Sequence, residues 1–156
     1  MRKYQHTLHI CGMMVIIFGL WSVAKTVLCL VFSDQVREVL FGEYPDLIQR
    51  VILYIIMAVF VGIDFLIRLY VGMSAMAEAG GRKKRFFYII VAFIIFVLSV
   101  ISFCTVVYSS IYDESYYLSK LDVVISGVVE LTCAYNLFEL LYNSIRLRRL
   151  RKKMEE

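Results

Sequence analysis

Proline is almost missing from this chain: Pro45 is the only one in 156 residues. Few proline breaks leave long helices uninterrupted. Paired cysteines are missing too. Cys11, Cys29, Cys104 and Cys133 are scattered with no C-x-x-C, which excludes a thioredoxin-like or quinone-coupled disulfide site. There is no G-x-S-x-G, H-E-x-x-H, P-loop or G-x-G-x-x-G, so the known catalytic signatures point away from an enzyme. Ten-residue segments of alternating hydrophobicity are absent, which excludes a membrane barrel. No small-x-small cleavage site follows the first apolar run, and neither end carries a lipidation or retention signal.

What is present is hydrophobic. Apolar residues make up 61% of the chain, against about 45–50% in soluble domains, and the mean hydropathy is +0.76. They fall in four blocks, at about 10–32, 47–76, 86–112 and 121–145, followed by a basic tail at 146–156. About 20 apolar residues cross the hydrocarbon core as a helix, and lipid offers backbone N–H and C=O groups no other partner. The expectation is an all-α polytopic membrane protein, a four-transmembrane-helix bundle in one domain spanning 1–156. No room remains for a soluble domain. Pro45 suits the first turn of the second helix, and Gly80-Gly81 suits its end. A short amphipathic stretch between Ser33 and Gly42 fits an interfacial helix. Tyr108, Tyr112, Tyr116 and Tyr117 are expected in one aromatic belt, and Phe86, Phe87 and Tyr88 in the other.

Lysine and arginine placement sets orientation. Twelve of them fall at the two termini and in the "GGRKKR" loop, three near the other two loops, and two inside the blocks. The remaining loops carry Asp34, Glu38, Glu43, Asp46, Asp113, Glu114 and Asp122. Both termini and the basic loop are therefore expected in the cytoplasm, with a cell (plasma) membrane as the location. Arg82, Lys83, Lys84, Arg85, Arg148 and Arg149 are expected against anionic inner-leaflet headgroups, each worth about 1 kcal/mol near the surface. Topology consumes the basic charge, which argues against nucleic-acid binding.

The segment "GIDFLIRLYVG" (62–72) places Asp64 and Arg68 one turn apart inside an apolar run. Lys25, Glu130 and Glu139 lie inside the other blocks. Buried ionisable groups are costly and mark partners, cavities or pathways. Depth, counted at about 1.5 Å per residue, suggests Lys25 opposite Glu130 and Arg68 opposite Glu139, with Asp64 holding Arg68 along one face. Glu130 and Glu139 are nine residues apart, so they point to opposite sides of their helix. The polar stripe Thr132, Tyr135, Asn136, Glu139, Asn143 is expected to face inward. Ser99, Ser102, Thr105 and Ser109 are expected to form the packing face of the third helix.

These charges have a plain reading, an ion-pair network that fixes register, and a sharper one, a solute or proton path. A structural, accessory or interaction subunit is the first expectation, as a homo-oligomer or within a larger membrane complex. A small transporter or channel is the second. His6, His9 and Cys11 lack a fourth metal ligand, and no cofactor is implied. The arginine ladder of a voltage-sensor domain is missing from the fourth block, and the first-helix acid of small multidrug exporters is replaced by Lys25.

Overall fold

The computed structural model describes residues 2–32, 47–82, 86–112 and 120–155. Among them it is all-helical. Helix α1 runs Arg2–Phe32, α2 Leu47–Ala79, α3 Phe87–Tyr112 and α4 Lys120–Glu155. Each helix is long and apolar enough to cross a membrane. One boundary differs from expectation: α1 begins at Arg2 rather than near residue 10. Helix α4 continues through the basic tail to Glu155, an extension its sequence allows. Hydropathy marks where a helix is apolar, not where its backbone hydrogen bonds stop. Pro45, the 33–42 stretch, Tyr116 and Tyr117 lie outside the described residues.

The helices alternate in direction. Gly12 of α1 meets Gly72 of α2, and Gly19 meets Phe65 and Arg68. Lys25 of α1 reaches Ser126 of α4, whereas Asn136 reaches back to Cys11. Tyr88 of α3 contacts Ser144 of α4, and Phe96 packs near Phe138. Helix α1 packs broadly on α2 and α4, and α3 packs on α4. The α2–α3 seam is much narrower.

That unevenness follows from where the small and apolar residues sit. The core gathers Leu8, Cys11 and Val15 of α1, Val71 and Ala75 of α2, Tyr88, Ala92 and Ile95 of α3, and Leu137, Leu140 and Leu147 of α4. All belong to the half of the bundle that holds the chain termini. In α2 no described side chain between Ile48 and Tyr70 is buried, so the other half of α2 has little hold on α3. Large apolar side chains such as Leu20, Phe60, Leu66, Phe93 and Leu131 are exposed on all four helices. The two glycines allow backbone contact between α1 and α2: a Cβ on Gly72 would lie 2.6 Å from the Gly12 carbonyl oxygen. Small residues are what let helices approach this closely in lipid.

Helix α2 ends as its sequence suggests. The Arg82 N–H donates to the Ala77 carbonyl at 3.1 Å and the Gly81 N–H to that of Glu78 at 3.1 Å. This 6→1 and 5→2 pair is a Schellman cap. Gly81 has φ of +92°, a conformation open to glycine and strained for L side chains.

Two expected faces are corrected. On α3 the buried positions are Tyr88, Ile89, Ala92, Ile95 and Ser99, while Ser102 and Thr105 are exposed and the Thr105 hydroxyl donates to the Ile101 carbonyl of its own helix. Steps of three drift about 60° each around a helix, whereas alternating four and three stays on one face. Tyr88 therefore leaves the expected aromatic belt for the core, while Phe86, Phe87 and Tyr108 stay exposed. On α4 the inward stripe is Ser126, Glu130, Cys133, Leu137, Leu140, Ser144 and Leu147, again at four and three. Thr132 and Tyr135 are exposed. Of the expected stripe, Asn143 is buried and Asn136 and Glu139 are half-buried on the α1 side, while Glu130 lies in line with Cys133 and Leu137.

Candidate functional site

Two polar centres hold the bundle's ionisable groups. The first ties together the termini end. Glu78, in the last turn of α2, is 1% exposed. Arg148 of α4 grips its carboxylate with two bonds, Nε to Oε1 at 2.8 Å and Nη2 to Oε2 at 2.9 Å. The Tyr88 hydroxyl of α3 bonds Glu78 Oε2, and lies 3.0 Å from Ser144 Oγ. Arg151 Nη2 donates to the Glu78 carbonyl at 2.7 Å. The Arg148 guanidinium also lies over the Phe86 and Tyr88 rings, at 5.4 and 5.5 Å from their centroids. One carboxylate thus joins three helices. Hydropathy placed Glu78 just past the second apolar block and so concealed it. The available signal was an acid facing a basic tail at the same end. Arg148 is engaged here. Arg82 and Arg149 are exposed, and Lys83, Lys84 and Arg85 lie outside the described residues.

The second centre lies at mid-bundle. Arg68 Nε and Asp64 Oδ2 are 2.9 Å apart, the i,i+4 pairing their spacing suggests. The other side of Arg68 turns inward and Nη1 donates to Cys133 Sγ at 3.4 Å. The pairing of Arg68 with Glu139 does not form. Glu139 lies on the α1 flank of α4, where Cys11 Sγ is 3.8 Å from Oε2 and the Tyr135 hydroxyl donates to Oε1 at 3.1 Å. Asn136 Nδ2 donates to the Cys11 carbonyl at 3.3 Å. Matched depth along a helix does not fix the rotation about its axis. Lys25 does not reach Glu130 either: its Nζ donates to Ser126 Oγ at 2.9 Å.

Glu130 is left without a hydrogen-bond or ion-pair partner among the described residues. It faces two spaces. One is a groove of about 680 Å³ along the narrow α2–α3 seam, with walls that include Ile67, Tyr70, Phe87, Ile94 and Leu98. Its charged lining consists of Asp64, Arg68 and Glu130, with Ser99 and Ser102 alongside. The other is a pocket of about 50 Å³, lined by Trp21, Ser22, Lys25, Arg68, Ser126, Glu130 and Cys133 among others. That is room for water, which needs at least about 10–15 Å³ on the same measure. Arg68 and Glu130 line both spaces and form part of the wall between them. Among the described residues no cluster of three His, Cys, Asp or Glu side chains has the geometry of a metal site.

The Asp64 side chain is 45% exposed on the groove, while that of Arg68 is 15% exposed. Among the described residues the molecule is an all-helical bundle of four helices, each long and apolar enough to cross a membrane, with a groove on one side lined in part by charged groups. Compared with protein families, curated proteins and solved structures, the chain matches none.

Proposed function

We propose that this chain is a small integral membrane protein of the cell membrane, with both termini in the cytoplasm, that binds a membrane-dissolved guest in the α2–α3 groove. The reading rests on one observation: a half-exposed Asp64 and an unpartnered Glu130 line a laterally placed groove whose remaining walls are mostly apolar. Acyl chains alone leave those carboxylates unsolvated. A groove of about 680 Å³ lies within the roughly 300–1,000 Å³ of ligand sites. Binding of this kind serves a small transporter more directly than a purely structural subunit. The accessory-subunit reading keeps support from a different feature, the helical basic tail: α4 continues to Glu155 with Arg149 and Lys153 exposed, suited to anionic headgroups or a partner at the inner surface.

One thiol-labelling series in a cysteine-free background tests orientation and groove together. In intact cells an impermeant maleimide is expected to modify Glu43→Cys and spare Lys84→Cys. A small cationic methanethiosulfonate is expected to modify Leu98→Cys, on the groove wall, much faster than Ile101→Cys, which is comparably exposed but does not line the groove. Labelling of Lys84→Cys from outside overturns the orientation. Equal, slow labelling of Leu98→Cys and Ile101→Cys overturns the groove reading.

A further inference from the structure

Resting on the guest-binding reading, the geometry points to a specific class of guest: we propose that the α2–α3 groove binds an organic monocation with bulky apolar substituents, its charge held by Glu130 and Asp64. Three observations carry this. The first is charge. The groove's charged lining is two acids and one base. Asp64 and Arg68 are bonded to each other at 2.9 Å and largely cancel, which leaves the Glu130 carboxylate uncompensated over the groove. Lys25 is the remaining cation nearby. It shares the small pocket with Glu130 but does not line the groove, and its ammonium is turned to Ser126 on the α1–α4 side.

The second is that the groove's one cation is already engaged and flanked by acids. Arg68 donates Nε to Asp64 and Nη1 to Cys133. A guest anion reaching its remaining N–H groups would sit beside the carboxylates of both Asp64 and Glu130, two like-charge penalties in a low-dielectric site. A cation meets neither. The third is shape and lining. Away from the charges the walls are Tyr70, Phe87, Val91, Ile94 and Leu98, with Tyr70 and Phe87 rings edge-on at 6.4 Å between centroids. Aromatic faces attract cations as well as apolar bulk. An inorganic cation would leave most of this volume empty, and of the two groove carboxylates Asp64 is already bonded to Arg68.

The test uses full-length protein in nanodiscs of zwitterionic phosphatidylcholine, so that headgroup charge attracts neither probe. Tetraphenylphosphonium and tetraphenylborate have nearly the same size and opposite charge. Equilibrium dialysis against empty nanodiscs measures saturable binding in every variant, and emission of Trp21, the sole tryptophan of the parent, reports the adjoining pocket in the parent and the Glu130 variants. The phosphonium is expected to bind saturably, at about one per chain, and the borate not to bind saturably. Glu130→Gln is expected to weaken phosphonium binding about tenfold or more, Glu130→Asp to retain most of it, and Leu98→Trp to abolish it by filling the groove. Thermal melts of each variant confirm folding.

Saturable binding of both ions, lost together in Leu98→Trp, leaves the guest-binding reading standing and overturns the cation assignment. No saturable binding of either overturns the assignment, and with slow labelling at Leu98→Cys the reading falls with it. Unchanged affinity in Glu130→Gln overturns the proposal directly. So does quantitative disulfide dimerisation through Leu98→Cys, which would show a second copy covering the groove.

Discussion

Replacing Glu78 with alanine is expected to destabilise the bundle by about 3–5 kcal/mol, the range for removing one member of a buried ion pair. The carboxylate accepts both Arg148 bonds and sits against the Tyr88 hydroxyl. Without it, a guanidinium only 25% exposed loses the carboxylate it grips with two bonds, and a fully buried tyrosine hydroxyl loses one of its partners. Glu78→Gln is expected to cost less, because it retains volume and a hydrogen-bonding oxygen while losing the charge. Denaturant unfolding in a fixed detergent, with the Arg148→Ala single and double variants, measures the coupling. Additive losses from Glu78→Ala and Arg148→Ala would show that the contact contributes nothing.

The second large effect is steric. Gly72→Leu is expected to cost at least the roughly 1–3 kcal/mol of an overpacked core, because the obstacle is the Gly12 carbonyl and the Ile16 side chain, both 2.6 Å from where the new Cβ would lie. Backbone cannot change rotamer, so α1 and α2 must separate. Gly62 has nothing within 4 Å of its Cβ position. Gly62→Ala is therefore expected to be neutral or slightly stabilising, by up to about 1 kcal/mol from helix propensity. Equal thermal shifts in the two variants would remove the glycine contact from the account.

Much of this architecture is legible in the amino acids. Length and hydropathy give four spans because lipid imposes that length, and Gly80-Gly81 marks the end of α2 because only glycine sits easily at positive φ there. The Asp64–Arg68 contact follows from spacing along one helix. Partnerships between helices were less readable. Lys25 with Glu130, and Arg68 with Glu139, match in depth, but each helix can rotate about its axis. The rotation is set by Gly12 against Gly72 and by the stripe Cys133, Leu137, Leu140, features carried by small and apolar residues rather than by charge. Polar residues on α4 drew attention to Asn136 and Glu139, whereas packing turned Glu130 inward. Glu78 was hidden because a hydropathy block stops where its average falls, and the helix does not.

The α2–α3 groove has a physical cause in the same packing. The two close contacts at the termini end, Glu78 with Arg148 and Gly12 with Gly72, hold α2 firmly from Val71 onward. Before that point its leucines and isoleucines are exposed, with Ile63, Leu66 and Ile67 on the groove wall, and the seam with α3 stays narrow. A closed end and an open middle place Asp64, Arg68 and Glu130 where a guest entering from the bilayer side would meet them.

The most direct measurement is a crystal structure of the protein grown from a lipidic mesophase, at a resolution that shows ordered water. The expected result is an open α2–α3 seam, with water or a polar guest within hydrogen-bond distance, about 3 Å, of both Asp64 and Glu130. A seam closed by direct α2–α3 packing, or a groove filled by acyl chains alone against those carboxylates, would contradict the account.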